Sequence, residues 1–239
     1  VKQPMPVRPT AHYTMGGIPT NNDGRVLSSA DGLVDGLFAA GESACVSVHG
    51  ANRLGSNSLL ECVVFGRRTG AAIAQFVEGR KLPEVNEGRY LEEAREQIQG
   101  LLDRPGDCRI GQLRQEFQDL MTQHCGVFRT EEAIAEGMQK AQELRERYDR
   151  VYLDDKGKLW NTEILEAFEL RNLMLVGQII LNCALNRRES RGSHSREDFP
   201  QRDDENFLRH TLAYYSPAGI DIAYRPVALG MFEPQERKY

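Results

Sequence analysis

The sequence predicts an α+β chain, and three observations carry that reading. A Gly-rich turn from His49 to Cys62 hands over to an apolar helix; apolar stripes at helical spacing fill residues 88–187; two alternating segments near the carboxyl end read as a β-hairpin. The expected organisation is residues 1–80, then a helical domain over 81–188, then a small carboxyl-terminal domain containing β-structure over 189–239.

Taken in order, Pro4, Pro6 and Pro9 deny ladder donors and favour an extended start. Ala11 to Ile18 reads as a strand, with His12 beside Tyr13, Thr14 and Met15, closed by Gly16-Gly17 where backbone passes close to a neighbour. Asn21-Asn22-Asp23-Gly24 is a turn of the hairpin kind. Gly36 to Ala40 is an apolar strand closing on Gly41-Glu42, the way nucleotide-binding α/β folds set a carboxylate at the carboxyl end of a sheet.

In the turn from His49, Gly50 and Gly55 can take positive φ and let backbone approach a bound group. Arg53 between them presents a planar fork of donors that suits a carboxylate better than an ammonium would. Ser56, Asn57 and Ser58 offer side-chain oxygens to cap a helix beginning near Ser58. Its electropositive start suits an anion or an electron-rich ring edge. Leu59 to Phe76 is apolar enough to be expected in the interior, with Gly66 and Gly70 letting another backbone close. On the residues alone, the bland readings stand beside these: a capped core helix, Arg53 in a surface ion pair, His12 an ordinary core or surface histidine, and Glu42 an acid facing water.

Leu91, Ala94, Ile98, Leu101 and Leu102 make one helical face; Leu113, Phe117, Leu120 and Met121 a second; Ile134, Met138, Ala141, Leu144 and Tyr148 a third. Thr130 is an N-cap, with Glu131 and Glu132 in the favourable first turn. With a long helix from about Asn161 to Arg187, these predict an antiparallel helical bundle. Arg187 to Asp198 is a mixed-charge loop that either docks on another part of the chain or is hydrated, and periodicity does not choose. Phe207 to Tyr215 and Gly219 to Val227 form the hairpin.

The 239 residues carry a formal charge of -5 and a sequence pI near 5.7, without the electrostatic footprint of a nucleic-acid or anionic-membrane binder. Cys45, Cys62, Cys108, Cys125 and Cys183 show no Cys-x-x-Cys and no zinc spacing, so buried, reduced thiols are expected, as in a cytosolic or matrix compartment. The longest apolar run, Leu173 to Leu185, is too short to span a bilayer. Opening on Val1 with no signal-peptide pattern, the chain is expected to be part of a longer polypeptide.

His12 to Ile18, Gly36 to Glu42, His49 to Cys62, Glu189 to Arg196 and Arg202 to Asn206 together closely resemble the flavoprotein subunit of succinate dehydrogenase and fumarate reductase, in its carboxyl-terminal part. The resemblance implies that residues 1–80 are the end of a capping domain and the carboxyl-terminal portion of an FAD-binding α/β domain. It implies His12 and Arg53 as the groups that hold the dicarboxylate, succinate or fumarate. Glu42 would bind ribityl or ribose hydroxyls of FAD, and Ser58 and Leu59 the flavin. The implied reaction is hydride transfer from a succinate methylene to flavin N5 with loss of a proton from the neighbouring carbon, or the reverse on fumarate. Electrons would pass to an iron-sulfur subunit and quinone. The location implied is the cytoplasmic face of a bacterial inner membrane or the mitochondrial matrix side, peripheral through partner and membrane-anchor subunits.

The family's Gly-x-Gly-x-x-Gly turn, flavin-bonding histidine and proton-moving arginine have no counterpart in these residues. L-aspartate oxidase shares His49 to Arg53 and Ser56 to Cys62; Ser47-Val48, Met15 and Arg202 to Asn206 favour the succinate dehydrogenase side. A reading of another class is that the isolated piece is a non-catalytic docking module. Arg191, His194 and Arg196 are candidates for ordering an interface, with no catalytic role assigned.

Overall fold

The computed structural model of the chain describes residues 5, 13–28, 32–81, 83–216, 218–231 and 234–235. Strand β1 (Ile18–Pro19) pairs in parallel with β4 (Ala44–Cys45), and β2 (Arg25–Leu27) pairs antiparallel with β3 (Leu33–Phe38). The expected turn forms: Gly24 N–H donates to Asn21 O at 3.0 Å, and the Asn21 side chain accepts from Asp23 and Arg25 N–H at 3.0 Å each. A 3-10 turn over Gly41–Ser43 leads into β4. Helix α1 (Asn57–Val77) lies against the β2–β3 hairpin, with Phe38 and Phe76 edge to face at 5.5 Å.

The helical part comprises α2 (Glu87–Asp103), α3 (Ile110–His124), α4 (Glu131–Arg147) and α5 (Thr162–Asn186). Buried positions recur at Ile110, Leu113, Phe117, Leu120 on α3, at Ile134, Gly137, Ala141, Leu144 on α4, and at Ala167, Leu170, Met174, Gly177, Leu181, Ala184 on α5. This alternation of three and four residues gives each helix one narrow seam, and the three seams close on one another as a single core. Thr130 Oγ1 accepts from Ala133 N–H at 3.2 Å, the cap the sequence implies, and Asn161 Oδ1 caps α5 at its expected start by accepting from Ile164 N–H at 3.3 Å. Two short parallel pairs tie the connections: β5 (Cys108–Arg109) with β7 (Val151–Tyr152), and β6 (Phe128–Arg129) with β8 (Ser195–Arg196). A single-turn α6 (Asp204–Phe207) precedes the hairpin of β9 (Arg209–Ser216) and β10 (Gly219–Pro226), in register from Arg209 opposite Pro226 to Ser216 opposite Gly219.

Several expectations need correction. Helix α1 is not interior: Leu59 and Val63 are each 71% exposed, and only Glu61 and Thr69 are buried along it. The hairpin and the Gly41–Cys45 segment cover one side, and no neighbour among the described residues covers the other. Strand β3 is likewise exposed along most of its length. On α2 only Leu101 and Leu102 are buried, while Leu91 and Ile98 are exposed. Cys108 and Cys125 are buried free thiols, as expected, but Cys62 is exposed. Among the described residues no helix is long and apolar enough to cross a membrane.

Candidate functional site

The turn from His49 folds around Arg53. Its guanidinium lies 3.9 Å from the centroid of the Tyr13 ring, and its backbone N–H donates to Tyr13 Oη at 3.0 Å. Tyr13 Oη in turn donates to Asn52 Oδ1. One aromatic side chain thus holds the Asn52 side chain and the Arg53 backbone and carries the cation on its face. The Arg53 side chain is 13% exposed, and its one carboxylate neighbour among the described residues is Glu42, with Nη2 3.5 Å from Oε1. Glu42 itself is half exposed. A nearly buried guanidinium with a single, solvated acceptor keeps most of its fork of five donors for an oxyanion.

Two further devices fix the turn. Gly50 sits at φ +61°, a left-handed conformation that a side chain adopts only under strain. His49 Nε2 bonds to the Glu61 carboxylate, which projects from the first turns of α1 and is almost wholly buried. Gly55 is not left-handed; the positive φ falls instead on Ser56, at +69°.

Ser56 is the N-cap of α1, and its side chain makes no capping bond. Among the described residues the expected side-chain caps at Ser56, Asn57 and Ser58 do not form; the left-handed Ser56 closes the turn through backbone instead. Asn57 N–H donates to Leu54 O and Leu59 N–H to Ser56 O, at 3.2 Å each. Among the described residues no side chain caps the start of α1, and Leu59 stands out from it. The positive end of the helix, an exposed apolar side chain and the carboxylate of Glu42 fit the edge, face and hydroxyls of a flavin nucleotide. The structure brings Arg53 and Glu42 together and sets Ser58 and Leu59 at the start of the following helix. His12 lies outside the described residues.

The mixed-charge loop docks rather than floats. Glu189 and Arg196 are fully buried within it. Arg191 donates to both Glu189 oxygens, at 2.8 and 2.9 Å, and Arg187 Nη1 donates to Oε1 at 2.8 Å. His194 Nδ1 faces Arg129 Nη1 at 3.0 Å and Nε2 donates to Arg187 O at 2.9 Å; burial, aided by the Arg129, Arg187 and Arg196 charges, pushes its pKa down to about 4. The loop reaches the turn before Arg53, where Ser193 N–H and Oγ donate to Ala51 O at 3.1 and 3.2 Å. Ser47, at φ +70°, is held through its Oγ by His210 Nε2 at 2.8 Å.

Sequence reasoning missed Tyr13, Asn52 and the His49–Glu61 pair as parts of this turn. Tyr13 stood next to a candidate histidine, but nothing local links it to a residue 40 positions on.

Residues 114–239 match the family described as fumarate reductase flavoprotein C-term, and residues 1–59 match an FAD binding domain. A succinate dehydrogenase flavoprotein subunit from Rickettsia conorii is 43% identical over 237 residues, covering 95% of this chain and 39% of that protein. The mitochondrial succinate dehydrogenase [ubiquinone] flavoprotein subunit of Oryza sativa subsp. japonica is 39% identical, covering 100% and 38% respectively. A structure of E. coli quinol fumarate reductase superposes with a TM-score of 0.87 at 37% identity, covering 99% of this chain and 40% of its counterpart. The chain therefore spans about two fifths of the length of the curated relatives it matches.

Proposed function

The chain belongs to the family of succinate dehydrogenase and fumarate reductase flavoprotein subunits, and on that premise we propose that it supplies one side of the site where succinate and fumarate are interconverted. The observation that carries the reading is Arg53: a cation held on an aromatic face, nearly buried, with one solvated carboxylate beside it. Such a group binds and orients a dicarboxylate through paired hydrogen bonds, and orientation of this kind contributes several kcal/mol to a transfer step.

In this reading Arg53 and His12 grip the substrate carboxylates. Glu42 accepts from FAD hydroxyls, and the start of α1 at Ser58 and Leu59 meets the flavin, where its positive end favours added negative charge. FAD, when bound, supplies the two-electron chemistry. Transfer of electrons to an iron-sulfur subunit and quinone, and peripheral attachment to a membrane through partner subunits, belong to the same proposal and rest on the family alone. The exposed apolar side of α1 supports a cofactor domain closing over it.

The test is the visible spectrum of the complete flavoprotein, native and Arg53→Ala, before and after anaerobic succinate. Bleaching of the flavin band in the native protein, with loss of bleaching but retained FAD in the variant, is the expected result. Equal bleaching in both overturns the role of Arg53.

A further inference from the structure

We propose that Gly192 and Ser193, 139 and 140 positions further along the sequence, are positioning residues for Arg53; this rests on the reading of Arg53 as the substrate-binding cation. Ala51 lies two residues before Arg53, and its carbonyl oxygen accepts both the N–H and the hydroxyl of Ser193, at 3.1 and 3.2 Å. Gly192 packs so closely that a Cβ placed on it would lie 2.3 Å from Ala51 O and 2.8 Å from Ala51 Cβ. Its φ of +60° excludes an easy substitution even without that contact.

The donor side of this contact is rigid. Arg191 N–H donates to His194 O at 2.8 Å and His194 N–H to Arg191 O at 3.1 Å, closing the turn that presents Gly192 and Ser193. Glu189, fully buried, anchors that turn through Arg191 and Arg187, and accepts from Asp203 N–H at 2.9 Å. Arg196 fastens the far side to the end of α5, donating to Ala184 O at 3.0 Å and Leu185 O at 3.3 Å.

The acceptor side is irregular backbone without a ladder of its own. Its position is set by the His49–Glu61 bond on one side, by Tyr13 at Asn52 and Arg53, and by Ser193 at Ala51. A rigid knot built on the helical core thus fixes the height of the turn that carries the substrate cation. Displacement of a binding group by about 1 Å lowers a transfer rate on the order of 100-fold.

The experiment uses the FAD-loaded holoprotein as Gly192→Ala, Ser193→Ala, Ser193→Thr and Arg53→Ala. It measures malonate affinity by calorimetry, kcat and KM for succinate, and FAD content. Gly192→Ala is expected to weaken malonate at least tenfold and to lower kcat/KM on the order of 100-fold, with FAD content unchanged. Ser193→Ala is expected to lose a few-fold, on the order of one hydrogen bond, and Ser193→Thr to restore it. If Gly192→Ala does not accumulate as folded protein, the Ser193 pair decides: an alanine variant indistinguishable from both native and threonine forms overturns the proposal. Native malonate binding in folded Gly192→Ala also overturns it, provided Arg53→Ala has lost binding. Native binding in Arg53→Ala overturns the assignment of Arg53 itself, whatever the Gly192 result.

Discussion

Arg196 and Asp198 are joined by two hydrogen bonds, from Nε to Oδ1 at 2.7 Å and from Nη2 to Oδ2 at 2.8 Å, with the guanidinium wholly buried. The pair joins two helix ends. Arg196 also donates to the last carbonyls of α5, and Asp198 Oδ2 accepts from Glu131 N–H at 2.7 Å at the start of α4, so each charge sits at the helix pole that favours it. These contacts hold the Asp198 carboxyl well below the usual carboxylate range. Arg196→Ala leaves a carboxylate and several carbonyls without their donor, and is expected to destabilise the protein by about 3–5 kcal/mol. Urea unfolding measures this; a loss below about 1 kcal/mol, the size of an exposed pair, contradicts it.

Gly177 on α5 faces Phe117 on α3 so closely that a Cβ would lie 2.4 Å from the ring's Cζ and 3.3 Å from Met121 Sδ. Two effects oppose each other in Gly177→Ala. Helix propensity favours alanine by about 1 kcal/mol. Overpacking costs about 1–3 kcal/mol, and Phe117 is itself buried in the core with little room to retreat. The steric term is expected to win, so the variant unfolds at lower urea concentration than the native protein. A higher midpoint would mean that the α3–α5 interface yields more easily than its packing implies.

The pattern of what was readable follows from where each interaction is encoded. The seams of α3, α4 and α5, the cap Thr130, the start of α5 near Asn161 and the β9–β10 hairpin depend on residues within a few positions of one another, and periodicity or capping chemistry finds them. Arg53 and Glu42 stood out through local grammar, a fork between glycines and an acid at a strand end. The exposure of Leu59 and Val63 on α1 was not readable, because an apolar stripe says that a face needs cover and not what covers it. The Ser193–Ala51 contact spans 142 positions and involves a carbonyl, which leaves no trace in residue identity. The choice between a docked and a hydrated 187–198 loop was not readable for a related reason: the partners that let Glu189 and Arg196 be buried lie outside the local pattern.

His194 makes stability depend on pH in a defined window. Its pKa falls from the ordinary 6.5 to about 4, so between those values the unfolded chain binds a proton that the folded chain refuses. Stability therefore declines as pH drops from about 6.5 and levels off, for this group, near 4. His210, also lowered by burial and by the Arg225 and Arg187 charges, adds to the decline in the same direction. His194→Gln is expected to flatten part of the slope of unfolding free energy between pH 5 and 6.5, leaving the His210 share. The Asp198, Asp203 and Asp204 carboxylates, all lowered from the ordinary 3.8, change stability from about that pH downward and leave the interval between pH 5 and 6.5 clear. An unchanged slope in the variant would show that protonated His194 is tolerated beside Arg129.

Arg53→Lys separates charge from geometry at the proposed substrate site. Lysine keeps the positive charge near Glu42 but loses the planar fork and most of the stacking on Tyr13, worth about 0.5–2 kcal/mol for a partly desolvated cation. Because the Glu42 partner is half exposed, loss of that ion pair costs less than about 1 kcal/mol of fold stability. The expected outcome is a urea midpoint close to native together with a fall in kcat/KM for succinate on the order of 100-fold in the holoprotein, the scale of a misplaced binding group. If lysine preserved kcat/KM, a point charge would suffice, and the paired hydrogen bonds assigned to Arg53 would be unnecessary. If stability collapsed with activity, Arg53 would be acting chiefly as the pin between Tyr13 and its turn, which contradicts the small stability cost expected for it.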